Sequence, residues 1–271
     1  MAADRFELRD RVAVVTGGYG VLGGSLADTL AGAGAKVAIL GRNREAAERK
    51  AEALRRAGAQ AMALVASVLD EAQLKSAREA LVAAWGGVDI IVNAAGGNVA
   101  RARTDHVTPF RMPLDAFDEV VRLNLHGTVY PTLVFGEAMA ERKKGSVVNV
   151  SSMAAQRPLK GVAGYSVAKA AVDSFTRWLA VELARHHGPG LRVNAIAPGF
   201  FVTTQNKAVL LNQDGSPTER GRAILARTPM GRFGDPAELQ GALLWLCSDA
   251  ASFVTGVVIP IDGGFSADGG I

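Results

Sequence analysis

The chain predicts an α/β fold, a single doubly wound parallel sheet of about seven strands with helices on both faces. Three observations carry this. Short β-branched runs alternate with helical segments along the whole chain, and the runs are apolar throughout, without the period-two pattern of a half-exposed strand. A glycine-rich turn joins the first run to the first helix.

The first strand is VAVVTG, followed by a helix reaching Ala33. KVAIL leads into a helix ending near Ala57, whose REAAERKAEALRR interleaves both charges at helical spacing, as a solvated face does. AMALV precedes a helix to Trp85, and VDIIVN is the fourth strand. A long helical stretch runs from about Leu114 to Arg142. Pro131 inside it should kink it or remove a hydrogen bond near Gly127, leaving an irregular backbone that exposes a carbonyl around Asn124. SVVNVSS, the amphipathic helix GYSVAKAAVDSFTRWLAVELA and LRVNAIAP continue the alternation. A helical insert with loops occupies about 200–230, then PAELQGALLWLCSD forms a helix and GVVIPI the last strand. No repeat, linker or low-complexity tract divides residues 1–271, so one domain is expected.

With 49% hydrophobic residues in 271, the chain can bury a large core. It has no run of eighteen apolar residues, and MAADRFELRDR is charged where a signal peptide is apolar. No membrane contact is expected, and a cytoplasmic location is. Cys247, the only cysteine, lies in LLWLCS and reads as a small buried hydrophobe. The net charge of +4 raises nucleic acid as a partner, but the basic residues are dispersed, aromatics are 6%, and no finger, basic-zipper or stacking pattern occurs. Nucleic-acid binding is not expected. The four histidines have no metal-ligand spacing, His186 and His187 fit a helix end, and no metal is expected.

TGGYGVLGG, from Thr16 to Gly24, places Gly17, Gly18, Tyr19, Gly20, Val21 and Leu22 between strand and helix. Glycines let the chain turn sharply there and leave room for a pyrophosphate at the helix N-terminus, so a dinucleotide site is expected. Glycines also simply make turns; the strand, loop and helix context favours the site. After the second strand, where an acid often holds the adenosine ribose, stand Gly41, Arg42 and Asn43. An arginine pairs with a 2′-phosphate, so NADP(H) is favoured and NAD(H) remains possible.

Tyr165 and Lys169 are four apart on one predicted helix face, with Ser151 and Ser152 on the strand before it. A neighbouring cation favours phenolate, which would bring a tyrosine from about 10 towards a pKa useful for proton exchange with a substrate oxygen. With 3 Tyr in the chain, such a pair arises by chance about one time in ten, so its surroundings decide.

Thr16-Gly17, NAAG at 93–96, NLHG at 124–127, Ser152, YSVAK at 165–169 and Pro198-Gly199 together resemble the short-chain dehydrogenase/reductase family, in order and spacing over essentially the whole chain. The resemblance implies a Rossmann-like domain, a homotetramer and a tetrad of Asn124, Ser152, Tyr165 and Lys169. In it Tyr165 gives or takes the proton and Ser152 hydrogen-bonds the same oxygen. Lys169 holds the nicotinamide ribose and lowers the Tyr165 pKa, and Asn124 orients Lys169 through a water. Asn93, Ala94 and Gly96 would flank the adenosine side with Ser67 and Val68, and Pro198, Gly199, Phe201 and Thr203 the nicotinamide. Three positions depart from the pattern: Val21 replaces a glycine, Ser67 an aspartate and Ala94 an asparagine. NAIAPGFFVTTQN, TPMGRFGDPAELQGALLWL and FVTGVVIPIDGGFSA further resemble the D-mannonate oxidoreductase (fructuronate reductase) subgroup, though Gly41 stands where that subgroup more often has an acid. This implies a small-molecule keto or hydroxy sugar acid as substrate, with Arg157 and Lys160 as candidate cations for its carboxylate and Asn98, Gln205 and Asn206 for its hydroxyls. Arg157 and Lys160 equally suit a solvated loop. Reduction of a 3-oxoacyl thioester or another ketone is the alternative activity, and a non-catalytic cofactor-binding regulator the alternative of another class.

Overall fold

In the computed structural model, which describes residues 3–105 and 107–269, the strands divide their side chains between two cores. In β1 (Val12–Thr16), Ala13 and Val15 enter one cluster while Val12 and Val14 enter the other. In β2 (Lys36–Gly41), Val37 and Ile39 go one way, Ala38 and Leu40 the other. A strand covered on both faces needs apolar residues at every position, which is why no alternation is visible in the sequence.

Five further strands, β3 (Ala61–Val65), β4 (Ile90–Asn93), β5 (Gly145–Val150), β6 (Leu191–Pro198) and β7 (Val258–Ile261), complete a parallel sheet in the order β3-β2-β1-β4-β5-β6-β7. One face carries α1 (Val21–Gly32) and α2 (Arg44–Arg56). The other carries α3 (Glu71–Trp85), α5 (Gly127–Glu141) and α6 (Ala163–His187), with α4 (Leu114–Val121) packed on α6. The insert folds as two short helices, α7 (Lys207–Leu210) and α8 (Glu219–Leu225), packed on one another. α9 (Gln240–Cys247) joins α1 on the first face. The fold is therefore the Rossmann-like α/β arrangement expected, and β1, paired with both β2 and β4, is where the strand order reverses and a crevice opens at the carboxyl edge. Phe135 of α5 is fully buried, and its truncation to Ala would cost about 3–5 kcal/mol.

Two helices differ from the sequence expectation. The stretch 114–142 is not continuous: a π-helical turn, Arg122–His126, separates α4 from α5, and the irregularity lies upstream of Pro131, which α5 accommodates. The last long helix begins as a 3-10 turn, Pro236–Leu239, closed by a capping box from Asp235 and Glu238, before α9.

At the amino edge of the sheet, Arg192 of β6 is 7% exposed and donates to the Leu246 and Ser248 carbonyls at 2.8 and 3.1 Å. These are carbonyls that the end of α9 leaves open. Ser146 donates to the same Leu246 oxygen at 2.9 Å. Beside them Cys247 is fully buried, and burial pushes its thiol up to about 12, as suits a small hydrophobe. No helix among the described residues is long and apolar enough to cross a membrane.

Candidate active site

β5 delivers Ser151 and Ser152 to the carboxyl edge, where α6 presents Tyr165 and Lys169 one turn apart. Ser152 stands beside the Tyr165 phenol, and its Oγ accepts the Ala154 N–H at 3.1 Å, which caps a short 3-10 turn and holds the hydroxyl in place. Lys169 lies over the Tyr165 ring, Nζ 5.6 Å from its centroid, and donates to the Val150 carbonyl at 2.7 Å. All three side chains line one cavity of about 630 Å³.

The electrostatics reverse one expectation. Burial pushes the Tyr165 phenol up, against the opposing influence of the nearby Ser152 hydroxyl, whereas Lys169 was expected to bring it down. The reason is geometric: the ammonium is aimed at the Val150 carbonyl rather than at the phenol oxygen, and desolvation of the phenolate dominates. The phenol therefore holds its proton at neutral pH. Burial also draws Lys169 down to about 8, with the Asp173 carboxylate one turn further along α6 opposing that shift. Asp173 is 4% exposed and accepts from Ser151. The sequence reading missed it, although it stands four residues beyond Lys169 on the face that carries the site.

Asn124 does not line the cavity. It is fully buried in the π-helical turn and grips the loop after β4: its Nδ2 donates to Gly97 O at 2.7 Å and Val120 O at 2.8 Å, and its Oδ1 accepts Gly97 N–H at 3.0 Å. The Asn124 carbonyl, expected to be exposed, accepts the Thr128 hydroxyl at 2.9 Å. Asn124 thus places the Gly96-Gly97 backbone, which does line the cavity, close to Lys169.

At the other end the cavity is lined by Gly17, Tyr19, Gly20, Val21 and Leu22, with Gly41, Arg42 and Val68 beside them. Gly17 adopts φ +64°, and a Cβ there would come within 2.9 Å of Ala95 Cα. Gly20 caps α1 with no side chain, so the first N–H groups of a twelve-residue helix face open space. This backbone cradle suits a dinucleotide phosphate. Val21 opens α1 with φ in the helical range and needs no glycine. The Tyr19 ring packs directly on Gly41, filling the place of any side chain at 41 and explaining why no acid stands there.

Several expected contacts fall elsewhere. Gly18 packs on Val15 and Ile39 below the loop. Asn43 caps α2 by accepting Ala46 N–H at 2.9 Å, and Ser67 accepts Leu69 N–H at 3.2 Å; neither lines the cavity. Asn93 lies inside the sheet, donating to Thr132 and Asn149 at 2.7 and 2.9 Å, where it ties β4 to β5 and α5. Ala94, Gly96, Pro198, Gly199, Phe201 and Thr203 line the cavity.

Arg157 and Lys160 are exposed and outside it. Arg157 donates to the Ser266 carbonyl at 2.6 Å and so fastens the C-terminal segment. The cations that line the cavity besides Arg42 and Lys169 are Arg103 and Arg220, neither singled out from the sequence. Asn98 and Gln205 line the cavity; Asn206 does too, but its amide accepts Thr203 N–H at 2.7 Å and donates to Phe201 O at 2.8 Å, holding its own loop. No group of three or more metal-ligating side chains occurs among the described residues.

Comparison with known proteins agrees with this geometry. Residues 20–266 match the family model described as enoyl-(acyl carrier protein) reductase. The uncharacterized oxidoreductase UxuB of Bacillus subtilis (strain 168) is 43% identical over 97% of this chain and 98% of its own length. A provisionally assigned D-mannonate oxidoreductase from Haemophilus influenza, solved with bound NAD, superposes with a TM-score of 0.93 at 41% identity, covering 100% of this chain and 99% of that one. A gluconate 5-dehydrogenase from Burkholderia cenocepacia J2315, in complex with NADP and tartrate, superposes with a TM-score of 0.87 at 34% identity, covering 99% and 100%. The chain belongs to the short-chain dehydrogenase/reductase family and is an NAD(P)-dependent oxidoreductase acting at alcohol and ketone groups.

Proposed function

We propose that the protein interconverts a keto and a hydroxy sugar acid, such as fructuronate and mannonate, with Tyr165 as the proton donor and acceptor. The observation that carries this is the placing of the Ser152 hydroxyl and Lys169 against the Tyr165 phenol, in a cavity continuous with the Gly17 loop. The nicotinamide ring, when bound, supplies or takes the hydride. Reduction builds negative charge on the substrate oxygen, and Ser152 and Tyr165 are the hydroxyl donors held where that charge is met. A phenol whose pKa is raised by burial keeps the proton it must give. Lys169 uses one of its three donors on Val150 and has two left for a ribose. Asn124 acts at one remove, holding the Gly97 backbone.

The sugar acid is supported by the D-mannonate assignment of one structural neighbour and the tartrate held by another. Arg42, at the dinucleotide end, supports NADP(H), while the neighbours bind NAD or NADP. We place the enzyme in the cytoplasm as a homotetramer: α5 and α6 expose Leu133, Val167, Trp178 and Val181, an apolar face suited to self-association. Light scattering should then give four times the chain mass. Tyr165→Phe tests the chemistry. It should lower turnover by at least about a thousandfold with cofactor affinity within about twofold. Turnover within tenfold of the wild type would overturn the proton-transfer role.

A further inference from the structure

Among the described residues no aspartate or glutamate lines the cavity, whereas four cations do: Arg42, Arg103, Lys169 and Arg220. Arg42 is at the dinucleotide end and Lys169 beside the phenol, so Arg103 and Arg220 have no part in the reaction described so far. They come from distant segments, the loop after β4 and the first turn of α8, and are joined by Asp105. Its Oδ2 accepts from Arg103 Nε at 2.7 Å with Nη2 also at 2.7 Å, and its Oδ1 accepts from Arg220 Nη1. Arg220 Nη2 also donates to the Lys160 carbonyl at 3.2 Å, which ties α8 to the loop before Tyr165. Gly161 of that loop, at φ +79°, touches the Asp105 carboxylate so closely that any Cβ would collide with it.

The charge does not balance. The two guanidinium groups hold Asp105 below the usual carboxylate range despite its burial, so it is ionised. One carboxylate offsets one arginine, and the other charge is left on side chains only 32% and 30% exposed. A structural ion pair needs one cation. A second, kept partly out of water in the wall of a reaction cavity, is offset when an anion binds. Arg103 Nη1 has no partner among the described residues, so the fork retains an outward donor.

We propose that Arg103 and Arg220, held in place by Asp105, form the site that recognises the substrate's carboxylate and make the enzyme selective for hydroxy acids over neutral polyols. This rests on the reading of the cavity as the hydride-transfer site. Neutral Asn98 and Gln205 line the same cavity and suit hydroxyls.

The test uses a matched pair, D-mannonate and the neutral D-mannitol, titrated calorimetrically into the full-length protein saturated with reduced cofactor, with which neither alcohol can react. The wild type should bind mannonate at least about tenfold more tightly than mannitol. Arg103→Gln and Arg220→Gln should each reduce that preference by about tenfold or more, Arg103→Lys, which keeps the charge but not the fork, should lose less than Arg103→Gln, and cofactor affinity should stay as in the wild type. Equal binding of the two ligands by the wild type, or a preference that survives both glutamine variants, would overturn the proposal. So would a loss of preference matched by an equal loss of cofactor affinity, because that marks a merely structural role. Failure of the hydride-transfer reading is seen separately, as no formation of reduced nicotinamide by the wild type from mannonate or from simple secondary alcohols. The calorimetric preference still reads the carboxylate site in that case.

Discussion

Lys169 and Arg192 are both buried cations on or against the central strands, 4% and 7% exposed, both donate to backbone carbonyls, and burial lowers the pKa of each. They stand at opposite edges of the sheet. Arg192, near the start of β6, spreads its donors over Leu246 and Ser248, with Val254 O at 3.5 Å, and lines no part of the reaction cavity. Lys169, beside the end of β5, makes one hydrogen bond and faces the cavity. The difference teaches that burial of a charge does not by itself mark a functional group; donors left over, facing open space, do.

The largest expected effect comes from exchanging the two sites' fates. Lys169→Met should reduce turnover by about 10²–10⁴-fold in steady-state assays while leaving a folded protein. Arg192→Leu should leave the folded enzyme's kcat within about twofold but cost about 2–5 kcal/mol of stability by denaturant titration, because two buried charge-assisted hydrogen bonds are lost, with only Ser146 left on the Leu246 carbonyl and the Ala251 N–H on that of Ser248. The opposite pattern would break the comparison. Next in size, Arg42→Ala should weaken NADPH by about tenfold or more and NADH by less than about threefold, measured by fluorescence titration. Equal losses would refute a phosphate-binding role.

The pH dependence sharpens the contrast. Lys169 has a folded pKa of about 8 against an ordinary 10.5, so burying its charge costs stability below pH 8. That cost fades as the pH rises from about 8 to 10.5, the window in which the ammonium is lost. Melting temperatures should therefore show the wild type gaining on Lys169→Met across that window, while wild-type turnover falls. The smallest effect concerns Cys247 beside Arg192: with its thiol at about 12 and fully buried, a thiol reagent should label nothing in the native protein and one group per chain after denaturation.

The helix carrying Tyr165 and Lys169, the glycine turn and all seven strands were legible because each depends on residues close in sequence: an i, i+4 spacing, a turn, an apolar run. The π-helical turn was half legible. Pro131 signalled trouble, but placing it at 122–126 depends on how α4 and α5 pack on α6. Asn93 and Asn124 were found, yet with contacts that only packing defines, one inside the sheet and one clamping Gly97. Arg157 and Lys160 were chosen for nearness in sequence to Tyr165, and the chain turns both away from the cavity.

What the sequence determined by itself was the fold class, the glycine turn at Gly17 and the Tyr165–Lys169 pair on one helix face, since local conformation and short-range spacing produce each of them. Only the tertiary structure decided the charge of the far wall. Arg103, Asp105 and Arg220 meet across 115 residues from Asp105 to Arg220, and no periodicity or local propensity encodes a contact between the loop after β4 and the first turn of α8.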